Sequence, residues 1–245
     1  MSWLVAARIG GRDRCIVVVE GVPLPGEIIA HCVRLYRRFP LSFREVEAMM
    51  LARGVVVSYE TIRAWCAKFG QAYANQLRRR RPRPGDKGHL DEVFVEINGA
   101  HRYLWRAVDQ HGSVLDVLVH AEMRKQPESS SANCSRDRGM CRVCWVTDKL
   151  AAYGAAHRVV MPSVQHRQSK YLNNRAETSH QLTRQRERAM KRFTSPRHAQ
   201  RFLSAFSHIS PHFRSRRHLL SAAEYRLVMA DRFAVYNEIT GTTAA

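Results

Sequence analysis

The sequence predicts an α/β protein: an all-α N-terminal domain followed by a mixed sheet with flanking helices. Two observations carry this. Apolar residues recur at helical spacing, with recognisable caps, as far as Phe69. The pattern then turns strand-like at Val93 and meets a hairpin signal at Asn98-Gly99. A length of 245 residues suits a small domain joined to a medium one, and a hydrophobic fraction of 45% rules out wholesale disorder.

Residues 1–22 carry no usable pattern and stay unassigned. From Glu27 to Arg38, Ile28, Ile29, Cys32, Val33, Leu35 and Tyr36 recur at helical spacing, and Pro40 ends the run. Ser42 and Glu45 form a capping box for a second helix reaching about Ala52, with Arg53-Gly54 as the turn. Ser58 caps a third helix, Tyr59 to Phe69, which Gly70 is expected to stop. Ile62, Trp65, Cys66 and Phe69 form its buried stripe and leave Arg63 and Lys68 on other faces. Two short helices joined through a glycine turn, the second one basic, fit a helix-turn-helix better than an arbitrary helical bundle. This domain is read as 23–77, and the arginine-rich run 78–85 as a basic linker.

Beyond the linker, Val93–Ile97, Tyr103–Val108 and Val114–Val119 read as three consecutive antiparallel strands, with turns at Asn98-Gly99 and Asp109–Gly112. The pattern is then lost until Val146 and resumes through Asp148 and a helical Ala151–Ala156. Asn174 to Arg192 is a strongly basic helix, and a further helix spans roughly Arg197 to Phe213, with Pro211 as a kink point. The second domain is taken as 86–235 and residues 236–245 as a tail.

Charge narrows the function. Forty Lys and Arg against 21 Asp and Glu leave a formal net charge of +19, spread along the chain rather than gathered in a tail. Nucleic acid is the usual polyanion to neutralise it, favoured over an anionic membrane surface or an acidic protein, because phosphate contacts release condensed counterions. No apolar run is long enough to span a bilayer and no signal peptide is evident, so a cytoplasmic, nucleoid-associated protein is expected, with no membrane partner. The six cysteines show no disulfide framework. Cys141 and Cys144 supply half of a zinc site, but no second half matches it.

Asp91 opens a strand, Asp148 follows a short apolar strand, and Glu177 lies on a later helix. Taken singly, each has a bland reading: a surface acid, a helix cap, and the far end of a capping box from Asn174. Together they suit two hard divalent cations, which take carboxylate oxygens and activate the attacking and leaving oxygens of a phosphodiester exchange.

Several motifs, in order, resemble the DDE transposases of bacterial insertion sequences, with the IS-six group the nearest. They are Gly88–Val93, Tyr103–Asp109, Thr147–Lys149 with Ala152-Tyr153-Gly154, Leu172–Glu177 and, in the helical domain, Val57–Arg63. The resemblance spans about 23–120 and 146–220. It implies an RNase H-like catalytic core and strand transfer with two Mg²⁺ ions (Mn²⁺ as a substitute), held by Asp91, Asp148 and Glu177 as catalytic ligands. It also implies a homo-oligomer acting on element ends and target DNA. The family's basic residue, seven positions after the glutamate, falls on Arg184. DNA-contact candidates are Ser58, Tyr59, Arg63 and Lys68 on the helical domain, with Arg184 and Arg188 on the basic helix.

The chain departs from this family over 124–145, a serine-rich segment holding three of the six cysteines, where a basic helix and a buried strand are expected. A pair of compensating frameshifts, opening near Met123–Glu128 and closing near Trp145, accounts for both the odd composition and a length close to what the family needs. On that account the strand before Asp148 packs poorly and the chain is a catalytically defective DNA-binding remnant. That remnant is the alternative; the first reading is an active transposase that binds terminal inverted repeats and catalyses Mg²⁺-dependent strand cleavage and transfer.

Overall fold

A computed structural model describes residues 5–9, 12–18, 24–83, 85–120, 144–147, 165–169, 174–190, 193–215 and 217–242, with backbone alone for 5–9, 12–18, 120 and 174–179. The described chain forms two compact units, residues 1–79 with 208–245, and residues 80–207.

In the first unit, α1 (Gly26–Arg38) buries Ala30, Cys32, Val33, Leu35 and Tyr36, the stripe its periodicity predicts. Ser42 and Glu45 close the expected capping box on α2 (Phe43–Leu51): Glu45 N–H donates to Ser42 Oγ at 3.2 Å and Ser42 N–H to Glu45 Oε2 at 2.6 Å. Gly54, at φ 79°, makes the turn into the two-residue strand β3 (Val55–Val56). Residues 1–22 are not structureless: β1 (Val5–Ile9) and β2 (Arg12–Val18) pair antiparallel, and β2 pairs in parallel with β3.

The third helix, α3 (Tyr59–Arg80), does not stop at Gly70 but runs into the segment expected to be linker. The reason lies across the packing. The buried Arg37 side chain donates to Cys66 O at 3.3 Å, and a Cβ on Gly70 would meet the same guanidinium at 3.2 Å. Glycine here makes room for a neighbour rather than ending the helix.

Residues 208–245, expected partly as catalytic domain and partly as tail, belong with the first unit. A last helix, α6 (Ala222–Thr240), starts at a Ser221–Glu224 capping box and ends at Gly241, φ 70°. Tyr236, 1% exposed, anchors it. Its hydroxyl donates to Ala30 O at 3.1 Å, and its ring meets Tyr73 and Phe213 edge-on. A buried aromatic with a satisfied hydroxyl is strong reason for a helix to dock.

The second unit is built on a five-stranded mixed sheet of order β6-β5-β4-β7-β8. The strands are β4 (Lys87–Ile97), β5 (Ala100–Asp109), β6 (Val114–His120), β7 (Cys144–Thr147) and β8 (Gln165–Gln168). The first three form the expected antiparallel meander, and β7 and β8 add in parallel. Asn98 (φ 50°) and Gly99 (φ 74°) both take positive φ, the pair a type I′ turn requires. Asp109 caps the second turn, its Oδ1 accepting from His111 N–H and Ser113 N–H at 2.8 Å each.

Against the expectation of a poorly packed strand before Asp148, residues 144–147 form β7, with Cys144, Trp145 and Val146 all buried. Three apolar side chains suffice for a strand covered on both faces, as parallel strands generally are. The rest of the 124–145 segment lies outside the described residues. So does the helix expected over 151–156.

Two helices complete this unit: α4 (Asn174–Ala189), and α5 (Pro196–His212), which continues into the first unit. Phe202, Leu203 and Phe206 of α5 join the core. On the edge strand β6, the Gln200 amide bonds like a short strand: Nε2 donates to Val117 O at 2.8 Å and Oε1 accepts from Val119 N–H at 2.7 Å. The fold class of this unit matches the expectation, a mixed sheet with flanking helices consistent with an RNase H-like core, whereas the first unit is not all-α, since β1, β2 and β3 form a sheet in it.

Candidate active site

Asp91 lies in the middle of β4, on the same face as Val93, Val95 and Ile97 by strand alternation, and opposite Arg106 of β5. Its side chain is 13% exposed, enough for the carboxylate to reach solvent at one edge. On α4, the His180 ring packs down onto it, Nε2 standing 3.6 Å from Asp91 Oδ2. Burial, aided by the positive charges of Arg106 and Arg184, pushes His180 down to about 3. The ring is therefore neutral at pH 7, and the contact joins a neutral imidazole to a carboxylate rather than two opposite charges.

Arg106 sits beneath them, 2% exposed. Its Nη2 donates to Thr183 Oγ1 of α4 at 2.7 Å and to Ser207 Oγ of α5 at 3.2 Å. Burial lowers it to about 10, which leaves it charged at neutral pH. Arg186, also buried, lays its guanidinium over Phe202, 5.5 Å from the ring centre. Two buried arginines thus fasten α4: Arg106 ties it to β5 through the Thr183 hydroxyl, and Arg186 ties it to α5 through an aromatic face.

The remaining expected ligands are placed less fully. Glu177 belongs to α4, three residues before His180, but its side chain lies outside the described residues. Asp148 is also outside them; it follows Thr147, the last residue of β7, in sequence. In β7 the parallel register with β4 runs from Lys87–Cys144 to His89–Val146. The donor chemistry at Asp91, a partly exposed carboxylate on a rigid strand, fits a hard divalent cation.

Of the DNA-contact candidates, Arg184 and Arg188 are exposed on α4, one turn apart. In the first unit Arg63 and Lys68 are exposed on α3. Ser58 caps that helix, accepting from Thr61 N–H at 3.3 Å, and Tyr59 carries the Arg44 guanidinium 5.2 Å above its ring. Sequence reasoning passed over Arg106, Thr183 and His180. For His180 there was a signal, one helical turn after Glu177; for Arg106, an arginine interrupting an apolar strand.

The family described as a DDE domain, of the IS240 transposase type, matches residues 85–216, more than half of the chain. The chain belongs to the DDE transposase family. Relatives include the transposase for insertion sequence element IS257 in transposon Tn4003 of Staphylococcus aureus, 28% identical over 163 residues. That alignment covers 63% of this chain and 71% of the relative. The transposase for insertion sequence-like element IS431mec of S. aureus strain Mu50 matches with the same identity and coverage. Among solved structures, a chain of the simian T-cell lymphotropic virus intasome in complex with PP2A regulatory subunit B56 gamma aligns with a TM-score of 0.40 and 14% identity. It covers 52% of this transposase and 49% of that chain. The transposase is thus a DDE-type polynucleotidyl transferase of the insertion-sequence class. Among its described residues, no helix is long and apolar enough to cross a membrane.

Proposed function

We propose that this transposase binds the terminal inverted repeats of its element and joins their 3′ ends to target DNA, using Asp91, Asp148 and Glu177 to hold two Mg²⁺ ions. The observation that carries the reading is the packing of α4 on β4 at Asp91. The helix that bears Glu177 meets the strand that bears Asp91 one turn away, at His180. Such proximity is what a shared metal site demands of two segments so far apart in sequence. The position of Asp148, directly after a buried parallel strand beside β4, supports the third ligand.

When bound, two such ions activate the attacking oxygen and stabilise the leaving one. The chain's own residues do the rest. Asp91 offers an acceptor held by ten paired positions along β4 and β5. The neutral His180 ring covers one side of that carboxylate without adding a competing positive charge. Arg184 and Arg188 extend from the same helix as phosphate contacts, and Ser58, Tyr59, Arg63 and Lys68 serve the helix-turn-helix in reading the repeats. With DNA at both element ends, a homo-oligomer is the natural assembly.

The serine-rich composition of 126–135 favours a second reading, a remnant that binds ends but does not join them. Labelled terminal-repeat DNA incubated with the full chain and Mg²⁺ separates the two. Joined products support the transposase, end binding without joining supports the remnant, and no binding to the ends sinks both.

A further inference from the structure

Arg106 is an expensive residue to keep where it is. It stands in the central part of β5, opposite Asp91, and its Thr183 and Ser207 partners are only 1% and 2% exposed. Removing a guanidinium from water costs desolvation that its bonds rarely exceed, so a core built for stability alone would hold an apolar side chain here. What the guanidinium adds is direction. Its planar fork fixes donors at set angles, and a bond of 2.7 Å to Thr183 Oγ1 ties α4 to β5 one turn from the His180–Asp91 contact. Thr183 is three residues from His180 and six from Glu177 on one rigid helix, so any slip at Thr183 is passed on to both. The Ser207 bond, from the same nitrogen, runs to α5 rather than to α4.

We propose that Arg106 is a positioning residue for the metal site: through Thr183 it sets the height of α4 against β4, and hence the placing of Glu177 relative to Asp91. This rests on the two-metal reading above. It also separates the bond to Thr183, which reaches α4 directly, from the bond to Ser207, which does not.

The test is calorimetric titration of the full-length chain with Mn²⁺, alongside thermal melting. Thr183→Val keeps the shape and deletes the hydroxyl, and Thr183→Ser restores it. Losing a group bonded directly to a metal ligand costs about tenfold to a hundredfold in metal affinity, and Thr183, acting at one remove, is expected at the low end. Thr183→Val should therefore weaken Mn²⁺ binding about tenfold, Thr183→Ser should recover most of that, and Ser207→Ala should leave affinity close to the unmodified chain. Thr183→Ala replaces Thr183→Val in the comparison if the valine variant does not fold. Unchanged affinity in Thr183→Val, no recovery in Thr183→Ser, or an equal loss in Ser207→Ala would each overturn the positioning role. Asp91→Asn keeps the two levels apart. If it abolishes Mn²⁺ binding while Thr183→Val does nothing, only the role of Arg106 fails. If Asp91→Asn binds Mn²⁺ normally, or the unmodified chain binds none, the two-metal reading fails and takes the proposal with it.

Discussion

His180 Nε2 lies 3.6 Å from Asp91 Oδ2, and this contact joins helix α4 to the middle of strand β4. Eighty-nine residues separate the two in sequence, so only the folded sheet and helix bring them together. If Asp91 is a metal ligand, Asp91→Asn keeps the shape of the side chain and removes its charge. Strand joining should fall by more than about a hundredfold, beyond the loss typical of outer-shell changes, while binding to terminal-repeat DNA persists. A joining assay beside a gel-shift titration checks this, and joining at the normal rate would count against the site.

Arg184 and Arg188 are exposed one turn apart on α4 and project from the element next to Asp91. As phosphate contacts, each neutralises one charge and releases about 0.9 of a counterion. Arg184→Ala and Arg188→Ala should each weaken binding to all DNA sequences alike and shallow the log–log salt dependence by close to that amount. Fluorescence anisotropy across a salt series measures both, and an unchanged slope removes these residues from the interface.

Acid should loosen the first unit through His31. Its Nδ1 lies 2.8 Å from Arg34 Nη2 and serves as the acceptor only while the ring is neutral. Burial first, then the charges of Arg34 and Arg53, lower it to about 4 from an ordinary 6.5. The unfolded chain therefore takes up the proton first. The stabilisation is complete above about pH 6.5 and is lost as the pH falls towards 4. His212, also lowered by burial, steepens the same decline. Chemical denaturation at pH 7, 6, 5 and 4 should show stability falling over this window, with a smaller fall in His31→Gln, which keeps an acceptor but cannot titrate.

The hairpin between β4 and β5 depends on Gly99. At φ 74°, with nothing within 4 Å of where a Cβ would stand, the site is sterically open but conformationally restricted. Gly99→Ala should cost about 1 kcal/mol from backbone strain alone, and Gly99→Asn distinctly less. Equal melting temperatures for all three would mean the turn tolerates another type.

Much of this was legible locally. The Ser42–Glu45 box and the Asn98-Gly99 turn are short-range chemistry, and both form as their residues predict. What could not be read depended on distant partners. Gly70 looks like a helix stop until Arg37 is seen beside it, and 236–245 looks like a tail until Tyr236 is found bonded to Ala30. At the N-terminus a signal was present and passed over: Gly10-Gly11 separates two segments that pair as strands, the second ending in Ile16-Val17-Val18. At the candidate site, Asp91 could be picked out by its motif. Arg106 showed only as an arginine interrupting an apolar strand, and its hydroxyl partner Thr183 not at all, because nothing in the sequence pairs the two.

The Gln200 amide on β6 also governs what an outside strand can do at that edge. By occupying Val117 O and Val119 N–H, it fills the hydrogen-bonding slots that another chain's strand would use. This edge of the sheet is thereby blunted against pairing with another chain, the route by which naked edges seed aggregates. A one-residue change, Gln200→Ala, would reopen those two positions on β6 to a strand of another chain.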